Sequence, residues 1–497
     1  MSDLPSADIR APFLVNSSKA HFIDGRWQPS VSGEAIETFN PATGRVLATL
    51  ARGRAEDVDA AVAAARRAFE GPWSRLTPHE RHALMLRVCD VLDRNFDELA
   101  TLESLDMGAP IARTRAMKRG LLQTVMYFAS QALNWTGSTI PNSLPGQYTS
   151  LTLKAPVGVV GGIIPWNAPL ISMWWIMGGV LASGCTGVIK TAEDASLTTL
   201  RTAELLVEAG VPAGVLNVVT GLGAEAGAAL AAHHGVDRIA FTGSTATGRE
   251  IIRASAGNMK RIQLELGGKS PDIVFADASL DKAVPGAAMG VYNNSGQICS
   301  AGTRVFVQRG IHDEFVARLV DYTKSIRVGD PFDAQSQLGP LVSKRQLDRV
   351  LSYLEIGRDE GARLAAGGTR LGGALAQGYY VAPTVFDDVD NRMRIAREEI
   401  FGPVASVIPF DTVDDAIRLA NDTDYGLGGA VWTSHAGTMM KAMHGIKAGK
   451  LWINCYGLAD PAVGFAGVKH SGYGVKGGAQ HLEGFLYEKS VYVNHDC

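Results

Sequence analysis

The chain has 497 residues, 46% hydrophobic and 20% charged, with 56 glycines and a formal net charge of −3. That length predicts two or three domains, each with enough apolar residues for its own core. The near-neutral balance offers no basic stripe for a phosphate backbone, so no nucleic acid is expected as partner.

Five cysteines, Cys89, Cys185, Cys299, Cys455 and Cys497, are an odd number without a CxxC pair. They read as belonging to a reducing compartment and not to a disulfide framework. Histidines are scattered, and the adjacent pair His233 and His234 has no cysteine close by, so no metal is expected. The opening MSDLPSADIRAPF lacks a basic segment followed by an apolar one, and the expected location is the cytoplasm.

Residues 54–69, 78–105 and a segment from about 111 carry the 3.6-residue apolar period of helices. The most apolar stretch, 155–185, is long enough to raise the question of a membrane span. Pro165, Asn167 and Pro169 interrupt it, and VGVVGGII reads better as a buried strand, so no membrane is expected as partner. Helix 170–183, strand 186–190, helix 196–210, strand 214–221, helix GAEAGAALAAH and strand 236–243 follow in alternation. This order predicts a doubly wound α/β domain. A second α/β pattern runs from about 267 to GKLWINCYG at 449–457. Two alternating pieces, 146–156 and 485–495, lie outside both and are expected to pair with each other or with another subunit.

Six segments hold residue types that do chemistry, each with a plainer alternative. Cys299 sits among small and polar residues in YNNSGQICSAGTR, which suits a nucleophile but does not establish one. In FTGSTATG, 241–248, Gly243, Ser244 and the following helix start can hold a pyrophosphate, or Ser244 simply caps the helix. Lys190 and Glu193 fall just past a predicted strand, where a donor and an acceptor suit ribose hydroxyls and a solvated strand end is the alternative. Glu265, beside Gly267 and Gly268, becomes a useful base if desolvated and is otherwise a surface carboxylate. Asn167 can donate to a developing oxyanion or cap its turn. Glu399 and Phe401 can hold a ribose and pack a nicotinamide ring, or be exposed and core respectively. Cys455, after LWIN, reads as buried and inert.

Together, PWNAPL, FTGSTATG, ELGGKSP, GQICSAGTR, EEIFGPV and WINC…GFAGVKHSGYG resemble, in order and spacing, the NAD(P)-dependent aldehyde dehydrogenase superfamily over nearly the whole chain. The resemblance implies a Rossmann-like cofactor domain, an α/β catalytic domain and a small β oligomerisation domain. The expected boundaries are 1–133 with 157–266 for the cofactor domain, 267–480 for the catalytic domain, and 134–156 with 481–497 for the oligomerisation strands. It implies NAD as cofactor, a small-molecule aldehyde as substrate, and a homodimer or homotetramer. Cys299 matches the nucleophile, Glu265 the base of hydrolysis, and Asn167 the oxyanion donor, working with the backbone N–H of Cys299. Cofactor contacts are expected at Ile164, Pro165, Trp166, Lys190, Glu193, Gly243, Ser244, Gly267, Glu399 and Phe401. The substrate pocket is expected at Ala168, Ile171, Trp175, Ile298, Ser300, Ala459 and Phe465, with Trp174 as a further apolar wall.

These residues permit attack of a thiolate on an aldehyde, a thioester, and hydrolysis to the acid. A CoA-acylating enzyme commonly lacks the glutamate found at 265, and a non-catalytic binding or structural protein has no use for Cys299, Glu265 and Asn167 together. A thiol hydrolase of unrelated fold wants a Cys–His pair, and no histidine is near these segments. Glu193 predicts NAD over NADP, with the Thr191 hydroxyl leaving some tolerance of a 2'-phosphate. Ala168 and Ala459 stand where relatives often carry aromatic rings, which predicts bulky hydrophobic aldehydes, aromatic or terpenoid. In many relatives a lysine stands at the position of Ile176 and a glutamate at that of Lys476, both implicated in a proton path. Here Lys476 either stands near Glu265 and helps set the pH dependence of deacylation, or points to solvent while Ile176 packs.

Overall fold

The computed structural model describes residues 5–7, 9 and 11–496; Cys497 and the outermost residues of the expected domain boundaries lie outside them. The alternation read from 157 onward folds into an eight-stranded sheet. Its spatial order is Gly472–Tyr473, Arg261–Glu265, Arg238–Thr242, Val159–Ile163, Thr186–Lys190, Leu216–Val219, His21–Ile23 and Arg26–Gln28. The five inner strands are parallel, and the first of them in sequence, Val159–Ile163, lies in the middle. The chain winds outward from it in one direction, then returns to wind in the other. Gly472–Tyr473, from the segment expected in the catalytic domain, adds an antiparallel edge by pairing with Leu264 and Glu265.

Helix Ala55–Glu70 buries Val58, Ala61, Val62 and Ala65, a stripe at helical spacing, against Val159, Val188, Val219 and Ile239 of this sheet. The segment 78–105 is two helices, Pro78–Arg94 and Phe96–Met107, and not one. Asn95 leaves the helical conformation at φ −102°, ψ 8°, and both its N–H and its side-chain amide donate to the Val91 carbonyl, at 3.2 and 2.8 Å, which ends the first helix there. Helix Pro169–Ser183 is apolar on nearly every face because it is buried from Ile176 to Ser183, with Ile171, Ser172 and Trp175 half-buried at its start. No helix among the described residues is long and apolar enough to cross a membrane.

The second sheet has seven strands in the order Arg363–Ala366, Thr384–Asp387, Val404–Phe410, Arg304–Gln308, Pro271–Val274, Gly428–Trp432 and Lys450–Ile453. Only the first is antiparallel to its neighbour. The outlying pieces pair with each other: Tyr148–Pro156 runs antiparallel to Leu486–Asn494, in register from Pro156–Leu486 to Tyr148–Asn494. Thr139–Ile140 adds a third, short strand.

Candidate active site

In a doubly wound sheet, ligands bind at the carboxyl ends of the strands, where the winding reverses. Here that point lies between Val159–Ile163 and Arg238–Thr242. Ile164, Pro165, Trp166 and Asn167 leave the first of these strands, Gly243 and Ser244 leave the second, and Lys190 and Glu265 end the strands flanking them. Topology alone therefore gathers eight of the thirteen expected catalytic and cofactor residues.

Lys190 is buried, and its ammonium donates to Glu193 Oε2 at 3.2 Å. Burial opposes the Glu193 charge, but Lys190 holds that carboxyl below its usual range. A buried donor beside an ionised acceptor fits a sugar diol. Thr191, in contrast, is fully buried and its hydroxyl hydrogen-bonds Ser196 at 2.7 Å, so it is not free to meet a 2'-phosphate. Ser244 caps helix Thr245–Ser255, accepting from the Thr247 N–H at 3.2 Å. The other N–H groups of that first turn lie at a helix start, which suits a pyrophosphate. Glu399 accepts from the Gly268 N–H at 3.1 Å, and burial raises its carboxyl to about 7. A side chain at Gly267 would collide with that carboxylate. Phe401 adopts φ +60° and packs edge-on to Trp166 at 5.2 Å, held by Gln346 donating to its carbonyl at 2.8 Å. This set of residues fits a dinucleotide such as NAD.

The nucleophile loop is built differently. Asn294, Ser295 and Gly296 are all left-handed, with φ of 56°, 55° and 72°. Two of the three pay a steric cost that the surroundings must offset. Ser295 Oγ donates to the Gly339 carbonyl at 2.7 Å, and Gln297 Oε1 accepts from the Val342 N–H at 2.9 Å. Asn167 Nδ2 donates to the Gln297 carbonyl at 2.9 Å, while Asn294 Nδ2 donates to the Asn167 carbonyl at 3.1 Å. The loop is thereby bound to the residue expected to hold the oxyanion. An amide nitrogen has two hydrogens, so Asn167 keeps one for a ligand. Beyond the loop, the Cys299 carbonyl lies 2.5 Å from where a Cβ of Gly268 would stand, and Tyr456 Oη donates to the Ser300 carbonyl at 2.7 Å. Asn294, Gln297 and Tyr456 were not singled out from sequence; the polar run NNSGQ was the only signal for the first two.

Glu265 is 1% exposed, and neither of its carboxylate oxygens has a hydrogen-bond partner. Burial raises this carboxyl to about 7, against a lowering pull from Lys476. Burial, then the Glu265 charge, push the Cys299 thiol up to about 12, with Lys476 opposing. The resting sulfur is thus protonated, and a base of intermediate strength lies close enough to act on it electrostatically. Such a carboxylate can take a proton from the thiol, or later from water.

Around this centre, Ile298 and Ser300 flank the cysteine, half-buried; Ala168, Ile171 and Trp175 are half-buried at the start of helix Pro169–Ser183; and Phe465 is half-buried opposite Lys476. Ala459 stands exposed on the loop after Gly457. Trp174 corrects the sequence expectation: it is fully buried in the core beneath the cofactor sheet and cannot be a pocket wall. It lies one residue, about 100°, around the helix from Trp175. Cys455 is a second correction. It is half-exposed because the strand ends at Ile453 and Asn454 turns the chain at φ 54°. Cys89, Cys185, Cys299 and Cys455 are all free thiols. The structure also gathers His312, Asp387 and Asp388, but Arg363 pairs with both aspartates and supplies the cation itself.

Comparisons with known proteins agree with this geometry. Residues 27–491 match the model of the aldehyde dehydrogenase family. Aldehyde dehydrogenase 1 of Tanacetum cinerariifolium is 46% identical over 473 residues, covering 95% of this chain and 94% of its own. The mitochondrial benzaldehyde dehydrogenase of Antirrhinum majus is 43% identical over 486 residues, covering 97% and 90%. The NAD+ complex of an aldehyde dehydrogenase from Bacillus cereus superposes with a TM-score of 0.94 at 45% identity, covering 97% and 98%. The chain therefore belongs to the aldehyde dehydrogenase family, and is an NAD-dependent enzyme that oxidises an aldehyde to the carboxylic acid through a cysteine nucleophile.

Proposed function

We propose that the substrate is a bulky hydrophobic aldehyde, aromatic or terpenoid, and that Cys299, Glu265 and Asn167 carry its oxidation. The observation that carries the substrate reading is Ala168: a methyl group directly follows Asn167, and Ile171, Trp175, Ile298 and Phe465, which the resemblance assigns to the same pocket, are half-buried. Such a lining is apolar, and each CH2 buried on it adds up to about 0.8 kcal/mol. The name of the Antirrhinum relative, a benzaldehyde dehydrogenase, supports an aromatic substrate.

In this reading Cys299 Sγ gives its proton to Glu265, which releases it to solvent, and bonds to the aldehyde carbon, while the free Asn167 amide hydrogen and the Cys299 N–H hold the oxygen. The same carbon then loses its hydrogen as hydride and becomes the acyl carbon of a thioester. NAD, when bound, supplies the acceptor for the hydride. Glu265 then takes a proton from water as it adds to the sulfur-bound acyl carbon; the C–S bond breaks, and the acid leaves. Glu193 favours NAD over NADP by repelling a 2'-phosphate.

We also assign a homodimer or homotetramer to this chain. The support is the small β sheet, where Leu153, Tyr492 and Val493 are 51%, 65% and 40% exposed. Light scattering tests that assignment. A panel of aldehydes graded by size tests the substrate: kcat/KM rises from acetaldehyde to cinnamaldehyde-sized and terpenoid aldehydes. Acetaldehyde or betaine aldehyde as the best substrate overturns it.

A further inference from the structure

Lys476 lies in a turn that only glycines allow: Gly472, Gly474, Gly477 and Gly478 have φ of 101°, 90°, 70° and 67°. Its backbone exchanges two hydrogen bonds with Phe465, at 2.7 and 2.8 Å, which fixes where its side chain starts. That side chain runs inward, half-buried, and its ammonium donates to Thr242 Oγ1 at 2.7 Å. Thr242 is the register partner of Glu265 in the neighbouring parallel strand. Paired residues on adjacent strands stand about 4.8 Å apart and present their side chains on the same face. The ammonium is therefore seated beside a carboxylate whose two oxygens are buried and unpaired. The other position that invites comparison, Ile176, packs on the sheet at Gly162 and brings no charge.

We propose that Lys476 is a positioning residue for the catalytic pair: its ammonium rests on Thr242 and turns to Glu265 when that carboxylate ionises, holding the base charged and aimed at neutral pH. The inference rests on the reading of Glu265 as the base. The charged and titratable groups facing this place are few. Lys476 faces Glu265, Cys299 and, from helix Ala479–Glu483, His481; Cys299 also senses Glu399. Among the described residues, Lys476 is the one charge that shifts Glu265, and it lowers that carboxyl against the effect of burial. It also eases loss of the Cys299 proton, but touches no reacting atom and passes no proton.

The test uses the full-length enzyme with Lys476→Gln, Lys476→Met and Lys476→Arg. Glutamine keeps a donor for Thr242 and removes the charge; methionine removes both. Deacylation is followed in single turnover against pH, and Cys299 alkylation by iodoacetamide is followed separately without substrates. In Lys476→Gln the acid limb of deacylation moves to higher pH by about one unit, so the rate below the limb falls about tenfold. The alkylation profile moves upward too, and Lys476→Arg restores both. A limb unmoved in Lys476→Gln and Lys476→Met, in an enzyme whose deacylation is lost in Glu265→Gln, overturns the inference alone. Deacylation intact in Glu265→Gln overturns the base reading and the inference with it.

Discussion

Glu265 and Cys299 meet at one point, yet the two sheets deliver them by different means. Glu265 is the last residue of a parallel strand, flanked in register by Thr242 on one side and Gly472 on the other. Cys299 belongs to no strand; it precedes Arg304–Gln308 on a loop that passes through three left-handed residues. The sheet places the base through ladder hydrogen bonds that any sequence in that strand would make. The loop places the nucleophile through the particular side chains of Asn294, Ser295, Gln297 and Tyr456. A rigid partner and a side-chain-dependent partner should therefore respond differently to mutation.

The largest effect is expected where position is irrelevant and the atom itself is removed. Cys299→Ala should lower aldehyde oxidation by at least about 1,000-fold, roughly 4 kcal/mol of transition-state stabilisation, with NAD binding by fluorescence titration unchanged. Turnover above that residue refutes the assignment. Glu265→Gln leaves the strand intact and removes only the base, so turnover should fall about 10²- to 10³-fold. The native acid limb should lie near pH 7, because burial holds this carboxyl near that value and protonation below it removes the acceptor. In the glutamine variant that limb should vanish, and an initial burst of NADH should precede slow turnover. An unchanged steady rate, or a surviving limb, breaks the reading.

Gly268→Ala sharpens the comparison, because its methyl group would press on the Cys299 carbonyl while Glu265 stays in its strand. A displacement near 1 Å at the nucleophile predicts about a 10²-fold loss of kcat. NAD binding and the melting temperature should change far less, and a fully active variant would show that the loop gives way. Smallest is the effect at the cofactor edge. Glu193→Gln keeps a hydrogen-bond partner for Lys190 and removes one charge, which predicts a shift of about tenfold toward NADP in the kcat/KM ratio, about 1.4 kcal/mol. An unmoved ratio removes Glu193 from the discrimination.

Much of this was legible in the amino-acid order. Alternating strand and helix periods from 157 onward specify a doubly wound sheet, and its strand ends are where Asn167, Lys190 and Ser244 had to lie, because winding and register follow from local periodicity and chain connectivity; the strand that ends at Glu265 was not read from the sequence. The family resemblance added Cys299 as nucleophile. Sequence could not tell Trp174 from Trp175, adjacent on one helix, since only packing decides which ring is sealed in the core and which is left half-exposed. Nor could it show that Cys455 is left half-exposed, that Thr191 is engaged with Ser196, or that Asn294 and Gln297 bind the cysteine loop to Asn167. Each of these depends on contacts between residues distant in the chain, which no local pattern encodes. Lys476 shows this most plainly. In sequence it is one lysine among glycines, equally suited to solvent; a glycine turn, a two-bond bridge to Phe465 and the register of Thr242 with Glu265 bring its charge to the catalytic carboxylate.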